Sequence, residues 1–441
     1  MEDQDILKDM ALSNPWWSEP SSEPEKGLIQ REVFHKLLDT LDNNRVLALV
    51  GPRRVGKTTA MKQAIRHLLD TVEPVRILYF SMDAVQREDR IIRRIFDLYF
   101  RNILKQLPGE GDKVYIVLDE VQKVRDWGEE VKSLHDRDYP VKFIVSGSSA
   151  MNILKGSGES LVGRIDILRV FPFSFREFLE YEGIETHGLS AFDLSYPVGA
   201  EKIKLLFDTY MLTGGYPELY PLAGPQNVRD YVKTVLDLTF YRDIINLFEV
   251  KRADVLEGMF YSFVKESGNV INYHTLTDNL NTKYETVKTY IEYLASSYFI
   301  SRSYLYSKST LKSFRKNPKI YTCDNAFFQL IATKEGLQIE TAVYNHLKHL
   351  GFEIFYWQNK ARLEVDILAQ TPSGLLPIEA KYGNNVSKGD VKGLLACMNE
   401  LGSDVGIIVT SEKMGLEDIS GKQIHFIPAW MFLMCENFGV G

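Results

Sequence analysis

The stretch "RVLALVGPRRVGKTTAMKQAIRHLLD", residues 45–70, constrains the fold more than any other part of the chain. A fully apolar run, Val46 to Val50, ends at a glycine; a second glycine follows after four residues, then a lysine, a threonine and a helical pattern. An apolar run of this length, closed by a turn signal, reads as a strand buried on both faces, as in a parallel sheet between helix layers. The pattern GxxxxGK[ST] is met by Gly51, Gly56, Lys57 and Thr58. Each residue type contributes something physical. Glycines let backbone N–H groups curl around phosphate oxygens, the lysine reaches the β and γ oxygens, and the hydroxyl holds Mg²⁺. The loop Gly51, Pro52, Arg53, Arg54, Val55, Gly56, Lys57, Thr58 and Thr59 is therefore the expected seat of ATP and Mg²⁺.

A second apolar run, Val114 to Leu118 in "KVYIVLDEVQ", ends in Asp119 and Glu120. Carboxylates at the carboxyl end of a buried strand are placed to serve a phosphate loop: Asp119 as a partner of Mg²⁺ and Glu120 as the group that orients or deprotonates the attacking water. "VRILYFSMD" (75–83) supplies a further strand between the two motifs, and "VKFIVSGSSA" (141–150) one that ends in hydroxyls. Ser146 and Ser148 there read equally as contacts to the γ-phosphate or lytic water and as turn serines. Arg164, just ahead of a fifth apolar strand, reads as a phosphate sensor, as a finger toward a neighbouring subunit, or as a plain surface arginine.

Bulk properties narrow the function classes. With 52 Lys+Arg against 59 Asp+Glu in 441 residues, the net charge of −7 excludes a general polyanion binder, so any DNA contact needs a local basic patch. Cys323, Cys397 and Cys435 are too far apart for a cysteine zinc site or a disulfide framework, which fits a reducing cytoplasm. The acidic N-terminus lacks the apolar core of a leader, and no stretch approaches the roughly 18 apolar residues of a membrane span, so a soluble cytoplasmic protein without membrane partners is expected.

Residues 256–300 give three helical patterns, followed by two short strands, "SRSYLYS" and "PKIYTCD", in the order of a winged helix. Val287, Ile291, Leu294 and Tyr298 form a core stripe on the third helix. Residues 302–319 carry Arg302, Lys308, Lys312, Arg315, Lys316 and Lys319 with no acidic residue, the segment best suited to meet DNA or, on the bland view, a solvated linker.

Near the C-terminus, Glu379 and Lys381 in "LLPIEAKYG" form an ExK pattern that also occurs at Glu130/Lys132 and Glu249/Lys251, so its surroundings must decide its meaning. In "ARLEVDILAQ", alternation places Asp366 opposite the apolar set, and the next strand does the same for Glu379 and Lys381. The three are expected on one exposed face, with Glu340 pointing at the sheet from a preceding helix. Helix, strands, helix, strand with Glu, Asp and ExK is the PD-(D/E)XK arrangement: Asp366 and Glu379 as metal ligands, Lys381 placing the nucleophile, Glu340 assisting.

The stretches "NPWW", "GPRRVGKTT", "VLDEVQKVRDWGEEVKSLHD", "SGSSAMNI", "LVGRIDILRVFPFSFREFL", "LTGGYPEL" and "EVDILAQ…LLPIEAKYG", spanning nearly the whole chain, resemble bacterial and archaeal predicted AAA+-type ATPases that end in a domain of unknown function with a PD-(D/E)XK nuclease-like core. The resemblance implies a five-stranded parallel P-loop NTPase core with the Asp119 strand separated from the Gly51 strand, and it supports Glu120 as the catalytic carboxylate. The expected α/β architecture is an N-terminal extension (1–28), a P-loop ATPase core (29–195), a helical lid with a winged-helix-like region (196–320) and a restriction-endonuclease-like α/β domain (321–441). The functional expectation is an ATPase that couples nucleotide state to a DNA-acting nuclease-like domain. The alternative is a nucleotide-dependent assembly switch whose C-terminal domain docks a protein partner or a second copy without catalysis.

Overall fold

The computed structural model describes residues 2–19, 28–85, 89–148, 161, 163–186, 188–193, 195–222, 224–245, 248–307, 316–383 and 388–439. The expectations on the "SSEPEKG" break, on residues 149–153 of "SGSSAMNI" and on Lys308, Lys312 and Arg315 lie outside these residues. Two compact units divide at 171/172. The expected boundary at 195/196 lies later, because Phe175 and Phe178 pack with Phe207 and Tyr210 and so join the second unit. Among the described residues no helix is long and apolar enough to cross a membrane.

In the first unit the apolar runs become five parallel strands: β1 (Val46–Val50), β2 (Ile77–Ser81), β3 (Val114–Asp119), β4 (Val141–Gly147) and β5 (Ile165–Arg169). Every residue of β1, β3 and β4 is buried, as strands covered on both faces must be. The order β2-β3-β4-β1-β5 inserts β4 between the Gly51 and Asp119 strands. This is the separation that the resemblance implies, and the order reverses between β4 and β1, the kind of switch beside which open α/β sheets carry ligands at the carboxyl ends of their strands.

The "NPWW" stretch covers the free edge of β2. Asn14 Nδ2 donates to Tyr79 O (2.9 Å) and Tyr79 N donates to Asn14 Oδ1 (2.7 Å), while the indole nitrogens of Trp16 and Trp17 both donate to Ile77 O (3.2 and 2.9 Å). Trp16 is buried and Trp17 stacks on Tyr99, so both serve the edge of the sheet. Asn14→Ala leaves a buried N–H and C=O without partners and is expected to destabilise this unit by about 2 kcal/mol, read from urea unfolding. A loss below about 0.5 kcal/mol would mean that water satisfies the edge.

The second unit carries an eight-stranded mixed sheet in the order β13-β14-β12-β11-β10-β9-β7-β8, with β7 Ile300–Leu305, β8 Lys319–Thr322, β9 Glu353–Gln358, β10 Glu364–Thr371, β11 Gly374–Ala380, β12 Val405–Thr410, β13 Gly415–Ile419 and β14 Lys422–Pro428. A short parallel pair, β6 (Leu189–Ser190) with β15 (Cys435–Asn437), stands apart from it. The three helices expected before the wing are present at Ala253–Lys265, Tyr273–Asn279 and Tyr284–Ser296, with Val287, Ile291 and Leu294 buried. The β7–β8 hairpin that follows is not a free wing: β7 pairs in parallel with β9 (Tyr304 with Phe355, Leu305 with Tyr356), which merges it with the C-terminal sheet. In the "LTGGYPEL" turn, a Cβ on Gly214, whose φ is +63°, would lie 1.7 Å from Asp324 Oδ1, and Gly215 N donates to the other oxygen of that carboxylate (2.8 Å).

Both faces of this sheet are covered. Ile367, Ala369, Ile378 and Ile407 pack with Val343 and Leu347 of the helix Glu335–His349, whereas Val365, Leu368, Ile408 and Phe426 pack with Leu394 and Met398 of the helix Lys388–Leu401. The expected exposed polar face is thus a correction: Asp366 and Glu379 lie inside, with side chains 14% and 7% exposed. A bulge between Val365 and Leu368 breaks the alternation from which that expectation follows.

Candidate functional site

Strand β1 delivers the chain to a loop that only glycine can start. A Cβ on Gly51 would lie 2.0 Å from Val170 O, and Gly56 sits at φ +90° as it opens the helix Lys57–Leu69. The ammonium of Lys57 is buried and donates to Gly51 O (3.0 Å) and Pro52 O (2.7 Å), so it already rests in the curl of the loop. Pro52 and Val55 are buried, Arg53, Gly56, Thr58 and Thr59 are half-buried, and Arg54 is exposed at φ +62°. Arg31, which no sequence signal marks, donates to Val55 O (2.7 Å) and to Phe171 O (2.9 Å) and so props the loop from behind.

The two motifs meet. Thr58 Oγ1 donates to Asp119 Oδ2 (2.7 Å), and Tyr79 OH donates to the same oxygen (3.0 Å). Burial and then the Asp119 charge push the Tyr79 phenol well above its ordinary range, which keeps it a donor. Ser146, fully buried, donates to Asp119 Oδ1 and accepts from Glu120 N (3.0 Å), so it fastens β4 to the end of β3. Glu120 follows at φ +57°, a left-handed turn that aims its side chain away from the strand. Its carboxylate accepts from Gln122 Nε2, which also donates to Ser148 Oγ (3.2 Å), while Gln122 Oε1 is buried and accepts no hydrogen bond among the described residues. Burial is the main cause that raises the Glu120 carboxyl; Lys57 opposes it. A phosphate cradle with an ammonium, next to a hydroxyl and a carboxylate 2.7 Å apart, fits a nucleotide phosphate with Mg²⁺, a cation of hard oxygen ligands.

Arg164 falls elsewhere. Val46 pairs with Ile165 and Val50 with Arg169, so Arg164 stands at the amino end of the sheet, one strand length of about 15 Å from the phosphate loop, with Nε on Asp136 Oδ1 (2.8 Å). A phosphate sensor acting within its own chain is thereby corrected.

In the second unit Glu340, Asp366, Glu379 and Lys381 do converge, around a residue the sequence placed in the DNA-facing run. Lys319 Nζ lies 2.7 Å from Glu364 Oε1, 3.0 Å from Asp366 Oδ1 and 3.3 Å from Glu340 Oε1. Tyr321 OH donates to Glu340 Oε1 (2.8 Å), Asp366 N to Glu379 Oε2 (3.3 Å), and Lys381 Nζ sits 2.6 Å from Glu379 Oε1. Burial followed by the Asp366 charge pushes Glu340 up to about 7 and Glu379 up to about 8. Lys319, although desolvated, is held well above its ordinary value by the acidic groups around it. The donor set does not fit a Mg²⁺ centre: an ammonium stands where the ion would, and among the described residues no His, Cys, Asp and Glu group is placed to hold a metal.

A carboxyl whose folded pKa lies above its unfolded value stabilises fully below the unfolded value, and that contribution is lost as pH rises through the folded one. The second unit is therefore expected to lose stability between about pH 5 and pH 8 relative to a Glu379→Gln variant, measured by unfolding across that window. A constant difference between the two would mean that Glu379 is ionised throughout.

The basic run is corrected in part. Lys319 is buried among carboxylates, and Arg302 pairs with Glu292 (Nη2 to Oε2 3.1 Å); Lys316 is exposed.

Residues 43–179 match a family model described as an AAA domain, residues 204–337 one described as a domain of unknown function (DUF8612), and residues 335–432 another (DUF4143). The first of these supports an AAA-type ATPase core. An uncharacterized protein of Haemophilus influenzae is 20% identical over 418 residues, 92% of this chain and 99% of its own length. An uncharacterized protein of Methanocaldococcus jannaschii is 25% identical over 91% of this chain and 90% of its own. Among solved structures, AMPPCP-bound DnaA from Aquifex aeolicus is 16% identical, with 62% of this chain and 92% of that one covered at a TM-score of 0.31. The Hsp104:casein complex of S. cerevisiae is 15% identical, with 64% and 52% covered at a TM-score of 0.30.

Proposed function

We propose that the first unit binds ATP with Mg²⁺ and hydrolyses it. The observation that carries this is the 2.7 Å contact between Thr58 of the phosphate loop and Asp119 of the neighbouring motif, with Glu120 next in the chain. Lys57 and the loop N–H groups hold the phosphates, and Thr58 with Asp119 holds Mg²⁺, which when bound neutralises phosphate charge. Glu120 takes the proton of the attacking water at a carboxylate oxygen. Gln122, through its amide on Glu120 and Ser148, sets the direction of that carboxylate. The test is Mg²⁺-dependent phosphate release from ATP that EDTA stops; a purified, folded chain that releases none would overturn the reading. Gln122→Ala is expected to lower kcat about tenfold with KM unchanged, since it loosens a base and touches no phosphate. An equal loss in KM alone would make Gln122 a binding residue.

For the second unit, the DNA-acting nuclease-like role and the docking role part company at the carboxylate cluster. Lys319 inside it favours the second: a non-catalytic module whose partner, a protein or a second copy of this chain, is engaged according to nucleotide state. Incubation with plasmid and with single-stranded RNA, with Mg²⁺ or Mn²⁺ and with or without ATP, is expected to leave both intact. Cleavage that Asp366→Asn removes would restore the nuclease role.

A further inference from the structure

We infer that Lys319 is a built-in counter-ion that takes the place of a divalent metal in the carboxylate cluster of the second unit, so that this cluster works as a closed polar core and not as a metal centre. Three observations carry it. The ammonium lies within 3.3 Å of Glu340, Glu364 and Asp366, carboxylates contributed by a helix and by β10, and it reaches all three from β8, the strand at the far edge of the same sheet. Its side chain is 3% exposed, and those of Glu340 and Asp366 are 10% and 14% exposed, so an ion arriving from solution would have to displace the ammonium. The remaining acid, Glu379, is paired with Lys381 at 2.6 Å and receives the Asp366 N–H, which leaves no carboxylate of the set without a cationic or N–H partner.

The backbone around the cluster is fitted to the lysine. β7 and β8 pair through Ser303 with Lys319, and Gly268 N donates to Ile320 O (2.7 Å), where a Cβ on Gly268 would come within 2.8 Å of Glu340 Oε1. The hairpin expected as a nucleic-acid wing is instead the element that carries the cation in. A single tethered charge holds three acids at fixed distances as a metal does, but it offers no open coordination position and lowers the pKa of no bound water, the two properties that metal-assisted hydrolysis requires.

This inference bears on the docking role and is independent of the ATPase reading, because its test reads ion binding and not turnover. Mn²⁺ bound per chain is counted by electron paramagnetic resonance, without nucleotide, in the full-length chain. Asp119→Asn is expected to remove whatever Mn²⁺ the wild type holds, and Asp366→Asn to leave it unchanged. In the Asp119→Asn background, Lys319→Gln is expected to gain one Mn²⁺, and a further Asp366→Asn to abolish it. Mn²⁺ that persists in Asp119→Asn and disappears when Asp366→Asn is added would overturn the inference, and this comparison stands even if Lys319→Gln does not fold. A folded Lys319→Gln chain that takes no ion would overturn it equally.

Discussion

Lys57→Ala is expected to bind ATP at least about a hundredfold more weakly than the wild type, the loss of roughly 3 kcal/mol from charge-assisted contacts to the β and γ oxygens. The magnitude follows from geometry: the ammonium is buried in the loop and held by Gly51 O and Pro52 O, so phosphate oxygens would replace carbonyls at a donor already in position. No new burial is needed. Glu120→Gln separates binding from chemistry. Its amide oxygen still accepts from Gln122, and Thr58 with Asp119 is untouched, so affinity is expected to persist while hydrolysis slows about 10²- to 10³-fold. A fluorescent ATP analogue reports the first and steady-state phosphate release the second. Unchanged affinity in Lys57→Ala would sink the phosphate-loop assignment, and lost affinity in Glu120→Gln would mean that Glu120 and Asp119 have exchanged roles.

Lys319→Met is expected to destabilise the second unit by about 3–5 kcal/mol, enough to unfold a marginal domain at moderate temperature. Methionine keeps the length of the side chain and opens little cavity, so the cost is electrostatic: Glu340 and Asp366, both largely buried, and the partly exposed Glu364 lose their common counter-charge. Part of that cost is relieved by proton uptake, so the loss should shrink as pH is lowered toward 5. Urea unfolding followed by the fluorescence of Trp357 and Trp430, both buried in this unit, measures it. Asp366→Ala should cost less, since Lys319 keeps two acids. A loss under about 1 kcal/mol for Lys319→Met would place the lysine in solvent, as a surface ion pair is.

The nucleotide-binding half is legible in the sequence because its signals are local. An apolar run with a glycine after it, or an acidic pair after it, states strand, turn and chemistry within about ten residues, and β1, β3, β4 and β5 lie where those signals put them. What the sequence hides depends on chain-distant meetings. Arg31 reaches Phe171 O from 140 positions away, and nothing near it in sequence announces a loop to be propped. Gln122 stands beside a legible motif, but its use of one amide for both Glu120 and Ser148 needs the left-handed turn at Glu120. Lys319 reads as part of a basic run because linear charge patterning does not record that β8 is a buried strand. For Asp366 the sequence gives the right strand and the wrong face, since one extra residue at the bulge moves Val365 and Ile367 into different cores.

The Asn14 clamp on Tyr79 spans 65 positions, and its order along the chain matters while the protein is being made. Chains emerge N-terminus first, so the segment that seals β2 leaves the ribosome before β2 itself. The strand "ILYFS" is apolar and rich in aromatic and β-branched residues, the kind of edge that recruits strands from other nascent chains. Because its cover is already present, this edge meets an intramolecular partner as soon as it appears. A chain begun after Trp17 should therefore yield less soluble protein, with more inclusion bodies, at equal rates of synthesis.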